Sequence, residues 1–144
     1  MKKNLLISAC LLGIPCRYDG KSVCKVDVEA LKEKYNLIPI CPEIYGGLPT
    51  PRTPSEIISD KVMMKSGEDV TENYNRGARA SLEFAKVNGA ELALLKERSP
   101  SCGKGKIYDG SFSGTLKDGN GITAELLINN GVAVFGESEI DKLL

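Results

Sequence analysis

The sequence contains no histidine, and this absence excludes several common kinds of site. Histidine is the usual partner of a nucleophilic serine or cysteine, and it often completes a zinc site. Any catalytic base must therefore be a carboxylate, a lysine, a tyrosine or a cysteine. The sequence also lacks the Cys-x-x-Cys pair that a thioredoxin-like dithiol and most structural zinc sites need.

The chain also lacks a long apolar run and an excess of either charge. Lysine and arginine together number 19, as do aspartate and glutamate, so no overall basic field attracts duplex nucleic acid. The apolar stretch before Cys10 covers residues 5–7, which is too short for a signal peptide or a membrane helix. An odd number of cysteines, 5, also fits a disulfide framework poorly. We expect a cytoplasmic, single-domain protein over residues 1–144 with reduced thiols and no membrane partner.

Four short apolar runs without helical periodicity predict strands that are buried on both faces, as in a parallel sheet. They span residues 5–9, 37–41, 91–96 and 132–136, and helical patterns separate them at residues 25–35, 71–88 and 122–130. This alternation predicts an α/β fold with a mainly parallel, Rossmann-like sheet of about four strands flanked by helices. Residues 56–65 predict a small additional hairpin, and Asp69 with Glu72 predicts a capping box at the second helix.

Three cysteines follow predicted strands. Cys10 and Cys41 lie at or just past the ends of the first two strands, and Cys102 follows the third in a loop rich in Ser, Pro and Gly. Because the carboxyl ends of parallel strands share one edge of a sheet, we expect these cysteines to converge. Thiolates are soft ligands for iron–sulfur clusters and for zinc, and the glycines after Cys102 predict a nest of backbone N–H groups for an anion. The residues around Cys24 suggest no catalytic or metal-binding site, so Cys24 is interpreted as a buried structural residue.

Six motifs resemble those of a known family. They read ISACLLG, CRYDG, CPE, GGLPTPR, RSPSCG and IYDGSFSG, and they begin at Ile7, Cys16, Cys41, Gly46, Arg98 and Ile107. The chain is similar to the small TudS-type thiouracil desulfidases over nearly its whole length.

This resemblance implies a [4Fe-4S] cluster that is held by Cys10, Cys41 and Cys102, with one iron left open for the sulfur of the substrate. It implies a non-redox reaction in which water replaces the sulfur of a thiolated uracil base or nucleotide and hydrosulfide is released. Cys16 also matches a motif position, but we expect it near the cluster rather than on iron.

Glu43 and Ser101 are the candidate catalytic residues. Glu43 follows Cys41 by two residues, so it lies beside any cluster that this cysteine binds, and we predict that it activates the water. Ser101 is predicted to pass or orient a proton. The alternative for Glu43 is a solvated loop carboxylate or a partner of Arg52. Basic residues flank the cysteine loops and would hold a 5′-phosphate if they converge: Arg17, Arg52, Lys104 and Lys106.

Two other functions remain compatible with the residues. One is a desulfidase that acts on thiolated tRNA, although the neutral charge balance argues against a large RNA footprint. The other is a non-catalytic iron–sulfur or zinc-binding module that senses redox state or supports a partner. The sequence predicts no particular oligomeric state.

Overall fold

The computed structural model describes residues 2–20 and 26–144, which form eight strands and four helices. The strands are β1 (Lys3–Ser8), β2 (Tyr35–Ile40), β3 (Ser55–Ile58), β4 (Lys61–Met64), β5 (Leu92–Leu95), β6 (Lys106–Tyr108), β7 (Leu116–Asp118) and β8 (Ala133–Gly136). The helices are α1 (Val28–Lys34), α2 (Pro42–Tyr45), α3 (Thr71–Val87) and α4 (Ile122–Asn129), with short 3-10 helices at Ala9–Leu12 and Glu137–Lys142.

The central sheet is parallel throughout, and its strand order is β2-β1-β5-β8. The predicted α/β fold with a four-stranded parallel sheet is therefore confirmed. The two inner strands, β1 and β5, carry continuous apolar runs because both of their faces are covered. Leu6 and Leu94 are fully buried there. Pro39 is tolerated in β2 because β2 is an edge strand, where a missing N–H leaves no neighbour unpaired.

Helix α2 lies against α3 at backbone distance. A Cβ atom on Gly77 of α3 would lie only 1.8 Å from the carbonyl oxygen of Pro42. A Cβ atom on Gly46 would lie 2.0 Å from the carbonyl oxygen of Asn73. Glycine is therefore required at both contacts, and the pair fixes the short helix that follows β2.

The start of α3 differs from the prediction. Val70, not Asp69, is the residue that precedes the first helical residue, Thr71, and no side chain caps the helix. The carboxylate of Asp69 instead accepts hydrogen bonds from the backbone amide of Thr71 at 2.9 Å and from its hydroxyl at 2.6 Å. The predicted capping box with Glu72 is wrong, because the Asp69 carboxylate closes a local turn that ends at Thr71, the first residue of the helix.

Two small antiparallel hairpins stand outside the central sheet. The predicted hairpin is confirmed as β3–β4, and its turn contains Ser59 at a φ of 56°. The second hairpin, β6–β7, is not predicted by the sequence, because strands of three residues are too short to show alternation. The interpretation of Cys24 lies outside the described residues, as does Lys25 at the predicted start of the first helix. Among residues 2–20 and 26–144, no helix has the length and apolar content needed to cross a membrane.

Candidate active site

The carboxyl ends of β1, β2 and β5 border one cavity of about 600 Å³. Cys10, Cys41 and Cys102 all line this cavity, although 31 and 61 residues separate successive members in the sequence. Ligands of open parallel sheets bind at this edge, beyond the strand ends. The structure therefore brings the three predicted cysteines to the place where the fold puts ligands.

Local structure after each strand explains where the three thiols lie. Cys10 lies in the 3-10 helix that follows β1, and Gly13 ends that helix at a φ of 90°. Cys41 is the single residue between β2 and α2, and Pro42 begins α2 with a preset φ. Cys102 lies in the long loop that follows β5.

Cys16 lines the same cavity, and its thiol contacts those of Cys10 and Cys41. Its hydrogen bond with Cys10 raises the pKa of the Cys16 thiol. The thiol of Cys41 also has a raised pKa, first because of its hydrogen bond with Cys16 and then because of burial. Burial raises the pKa of Cys102 to about 12, although hydroxyls of Ser8 and Ser101 act in the opposite direction. All four thiols are free, so a metal that binds Cys10, Cys41 and Cys102 must displace the protons of these three.

The chemistry of the donor set is compatible with an iron–sulfur cluster, whose ligands are thiolates. Among the described residues, no three His, Cys, Asp or Glu side chains form a group that could hold one metal ion. Four free cysteines around one cavity supply the thiolates that an iron–sulfur cluster requires.

Glu43 is held from both sides at the edge of the cysteine cavity. Its Oε1 accepts a hydrogen bond from Nε of Arg52 at 3.0 Å, and its Oε2 accepts one from Oγ of Ser101 at 2.9 Å. The Glu43 side chain is 14% exposed, and the Arg52 side chain is 3% exposed. Glu43 is therefore a partner of Arg52, as one alternative predicted, and also contacts Ser101. A carboxylate has about four lone-pair positions, so these two hydrogen bonds leave capacity for a further donor.

Ser99 organises the loop that carries Ser101 and Cys102. Its Oγ accepts hydrogen bonds from the backbone amides of Ser101 at 3.1 Å and of Cys102 at 2.8 Å. Its carbonyl accepts one from the amide of Gly103 at 2.9 Å. The predicted nest is therefore wrong, because these three amides point to Ser99 and not to a bound anion. The Ser99 hydroxyl lies 2.9 Å from Oγ of Ser101 and donates to it, since Ser101 donates to Glu43.

Arg52 connects three segments around the site. Besides Glu43, its guanidinium donates to the carbonyl oxygens of Cys16 and Pro49 and to Oγ1 of Thr50, each at 3.0 Å. All of its nitrogen atoms thus have protein partners. Four of its five N–H groups are used in these hydrogen bonds, so Arg52 mainly fixes Glu43 at the cavity wall.

The four basic residues that would hold a phosphate fall into two groups, because Arg17 and Arg52 line the cavity and Lys104 and Lys106 do not. Lys104 forms an ion pair with Glu139 at 3.1 Å, and Lys106 pairs with Asp118; neither lysine lines the cavity. Arg17 does line the cavity. Sequence reasoning missed other side chains on the cavity wall, which include the charged residues Lys65, Lys96, Arg98, Glu56, Glu97 and Glu137 and the aromatic residues Tyr18, Tyr74, Tyr108 and Phe112.

Some of these residues carried a sequence signal. Arg98 stands in the same motif as Ser101, and Lys96 directly follows β5, so the rule that placed the cysteines also applies to them. Tyr74 lies within α3 and has no comparable signal. Burial raises the pKa of Tyr74, and the charge of Glu43 raises it further, so its phenol stays protonated.

Comparisons with known proteins agree with this geometry. The model of the 2-thiouracil desulfurase family matches residues 5–139. The chain belongs to the 2-thiouracil desulfurase family. A solved structure of the [4Fe-4S]-dependent thiouracil desulfidase TudS is 45% identical, with a TM-score of 0.94 over 99% of this chain and 95% of that chain. The uncharacterized protein YbbK of Bacillus subtilis (strain 168) is 43% identical over 150 residues, which is 97% of this chain and 99% of YbbK.

Membership of the 2-thiouracil desulfurase family confirms the resemblance predicted from the six motifs. The matched region begins within β1 and ends after β8, so it includes every strand of the central sheet. It also contains Cys10, Cys41 and Cys102 together with Glu43 and Ser101. The non-catalytic binding module is not favoured, because the family is named for an enzymatic activity.

Proposed function

We propose that this protein is an iron–sulfur-dependent desulfidase that replaces the sulfur of a thiolated uracil with oxygen. Water supplies the oxygen, which forms a bond to the ring carbon. The carbon–sulfur bond breaks, and the sulfur leaves as hydrosulfide. No electrons are exchanged with a partner, so the reaction needs no oxidant or reductant.

The observation that carries this proposal is the shared cavity of the cysteines and the Glu43–Ser101 pair. Cys10, Cys41 and Cys102 would hold the cluster, one from the end of each of three neighbouring strands. When bound there, the cluster supplies a Lewis-acidic iron with affinity for sulfur, which makes a thiocarbonyl carbon more electrophilic. Cys16 lies beside the set and contributes its carbonyl oxygen to Arg52.

Glu43 is the proposed general base. It lies next to Cys41 in the chain and has lone pairs left after binding Arg52 and Ser101. A carboxylate in this position accepts a proton from a water molecule as the water attacks the substrate. The sequence has no histidine, and Glu43 is a carboxylate that Arg52 and Ser101 already fix at the site.

Ser101 connects the base to the sulfur-rich side of the cavity. It donates to Glu43, and its Oγ lies 3.7 Å from Sγ of Cys102. Ser101 is 1% exposed, so few water molecules compete for its hydroxyl. The hydroxyl of Ser99 donates to Ser101 and keeps its proton directed at Glu43. For Glu43 to give up the proton that it takes from water, the O–H of Ser101 turns to the sulfur side of the cavity, towards which Sγ of Cys102 lies, and Ser101 then accepts the proton of Glu43 while its own proton passes to the leaving sulfur.

A nucleotide form of the substrate is supported by charged residues on the cavity wall. The cavity of about 600 Å³ holds the cysteines as well as the substrate, and Arg17, Lys65 and Arg98 line it. These cations suit a phosphate group. Comparing kcat/KM for 4-thiouracil and for 4-thiouridine monophosphate tests this form, and equal values would favour the free base.

The proposed function is tested by anaerobic reconstitution and turnover. The protein loaded with iron and sulfide should consume 4-thiouracil and release one hydrosulfide per uracil formed. Serine variants of Cys10, Cys41 and Cys102 should each bind less iron, whereas Cys16→Ser should keep the wild-type iron content. Loaded protein that leaves 4-thiouracil unchanged would contradict desulfidation, and a colourless protein with stoichiometric zinc would favour a zinc module.

A further inference from the structure

One part of the cavity wall is an aromatic side chain that the cysteines and Glu43 do not explain. Phe112 lies in the loop between β6 and β7, is half-buried and lines the cavity. Within the described part of the chain, Phe112 belongs to none of the three hydrophobic core clusters. Its ring therefore borders the cavity and not the protein core.

The backbone of Phe112 has an unusual conformation. Its φ is 55°, in the left-handed region that a bulky side chain rarely adopts. Such a conformation has an energetic cost, and it persists where surrounding contacts impose it. Residues with strained backbone conformations are common at ligand sites. The contacts that hold Phe112 in this conformation therefore bear on the function of the loop.

Glu56 in β3 supplies those contacts. It is a buried carboxylate, 8% exposed, that also lines the cavity. Its Oε1 accepts hydrogen bonds from the backbone amides of Gly110 at 2.9 Å and of Phe112 at 3.1 Å. Gly110 is pressed against β3, because a Cβ atom there would lie 2.8 Å from Cγ1 of Ile58. The loop is thus anchored to the β3–β4 hairpin, and Phe112 is fixed at the cavity.

We propose that the ring of Phe112 is the surface on which the planar pyrimidine ring of the substrate stacks, and that Glu56 is the positioning residue that fixes Phe112. This inference rests on the proposed function for the identity of the ring. Stacking on an aromatic face accepts any planar base, so it contributes affinity and does not select the thiolated atom. Since stacking stabilises the bound substrate and the bound product equally, it lowers the KM for the substrate and the Kd for the product with little effect on kcat.

Phe112→Gly is the sharpest variant, because glycine adopts a positive φ without strain and so keeps the loop while removing the ring. With the reconstituted holoenzyme, KM for 4-thiouracil and Kd for uracil by equilibrium dialysis should both rise about 10-fold. The kcat and the iron content should stay at wild-type values. Phe112→Leu keeps a Cβ atom and apolar bulk but should weaken uracil binding similarly, whereas Phe112→Tyr should bind like the wild type.

The role of Glu56 is tested in a double-mutant cycle. Glu56→Gln should weaken uracil binding in the wild-type background, since the amide oxygen is a poorer acceptor for the two backbone amides. It should have no further effect in the Phe112→Gly variant, because the ring that it positions is gone. Additive effects on the Kd for uracil would overturn the positioning role.

An unchanged Kd for uracil in both Phe112→Gly and Phe112→Leu, with the iron content intact, would overturn the stacking role. The test separates this inference from the proposed function. A wild-type holoenzyme that left 4-thiouracil unchanged would contradict the proposed reaction, while the uracil measurement would still decide the role of Phe112.

Discussion

At the scale of single residues, the environment of Glu43 determines what the site can do. Arg52 holds one carboxylate oxygen and Ser101 binds the other, so the side chain has a fixed orientation beside the cysteine cavity. A fixed base needs little reorganisation when a proton moves to it. The hydroxyl of Ser99 lies 2.9 Å from that of Ser101 and helps to hold it against Glu43.

Glu43→Gln should lower kcat by about 10²- to 10³-fold, because the amide preserves the shape of the side chain but cannot accept a proton as a base. The iron content should not change. Steady-state turnover of 4-thiouracil together with iron analysis measures both. Glu33→Gln, at an exposed position of α1, is the matched control and should keep full activity. Full turnover by Glu43→Gln with wild-type iron would remove Glu43 from the mechanism.

Arg52→Lys should lower kcat by about 10- to 100-fold, with a smaller change in KM. A lysine has one ammonium group, so it cannot donate hydrogen bonds to Glu43, to the carbonyl of Cys16 and to residues 49–50 at the same time, as the planar guanidinium does. Arg52→Gln should be lower still, since it also removes the charge beside Glu43. Equal losses in KM and kcat for both variants would point to a general loss of structure and not to positioning of the base.

At the scale of secondary-structure elements, α2 is the part of the fold that places Glu43, and α3 places α2. Gly77→Ala should destabilise the protein by about 2–3 kcal/mol, because the added methyl overlaps the carbonyl of Pro42. This loss appears even though alanine is the better helix former by about 1 kcal/mol. Urea unfolding measures it, and Glu83→Ala on the exposed face of α3 is the control. Stabilisation by Gly77→Ala would contradict the close approach of the two helices.

The segment after β8 contains an acid-sensitive contact. Glu139 accepts hydrogen bonds from the backbone amide of Gly136 at 3.1 Å and from Lys142 and Lys104 at 3.0 and 3.1 Å. These contacts, the amide of Gly136 foremost, lower the pKa of Glu139 from 4.5 to about 2. A depressed carboxyl pKa contributes stability above the unfolded value, near pH 4.5, and this contribution disappears as the pH falls through about 2.

Glu139→Gln should therefore cost about 1–2 kcal/mol at pH 7 and clearly less at pH 3. Urea unfolding of the metal-free protein at both pH values measures the difference between the variant and the wild type. Glu33→Gln should show no difference at either pH. A cost for Glu139→Gln that is the same at pH 7 and pH 3 would contradict the assignment of these contacts to the ionised carboxylate.

The strands of the central sheet were predictable because each is a short apolar run, which can be recognised in the sequence without knowing the strand that pairs with it. The start of α3 was not predictable. The Asp69 carboxylate accepts a hydrogen bond from a nearby backbone amide whether or not it caps the helix, and only the backbone conformation of Val70 distinguishes the two cases. The hairpin β6–β7 was missed because its short strands are defined by their pairing and not by a pattern within either strand.

At the scale of the whole molecule, parallel topology brings distant residues to one cavity. The cysteines were predictable from that topology, since each follows a strand of the same sheet. The same rule places Glu43 and Ser101 at the cavity, but the hydrogen bond between them was not predictable, because no sequence pattern records the direction of either side chain. Lys104 and Lys106 do not reach the cavity, because sequence proximity to a cysteine does not show which way a long side chain extends.

The central claim is that water, activated beside three cysteines at this sheet edge, replaces sulfur without any change of oxidation state. Turnover of 4-thiouracil by the reconstituted holoenzyme in oxygen-18 water, under strictly anaerobic conditions and without an electron donor, tests it most directly. Mass spectrometry should find one oxygen-18 atom in each uracil formed, together with an equal amount of hydrosulfide. Uracil without the label, or turnover that requires an added reductant, would contradict the account.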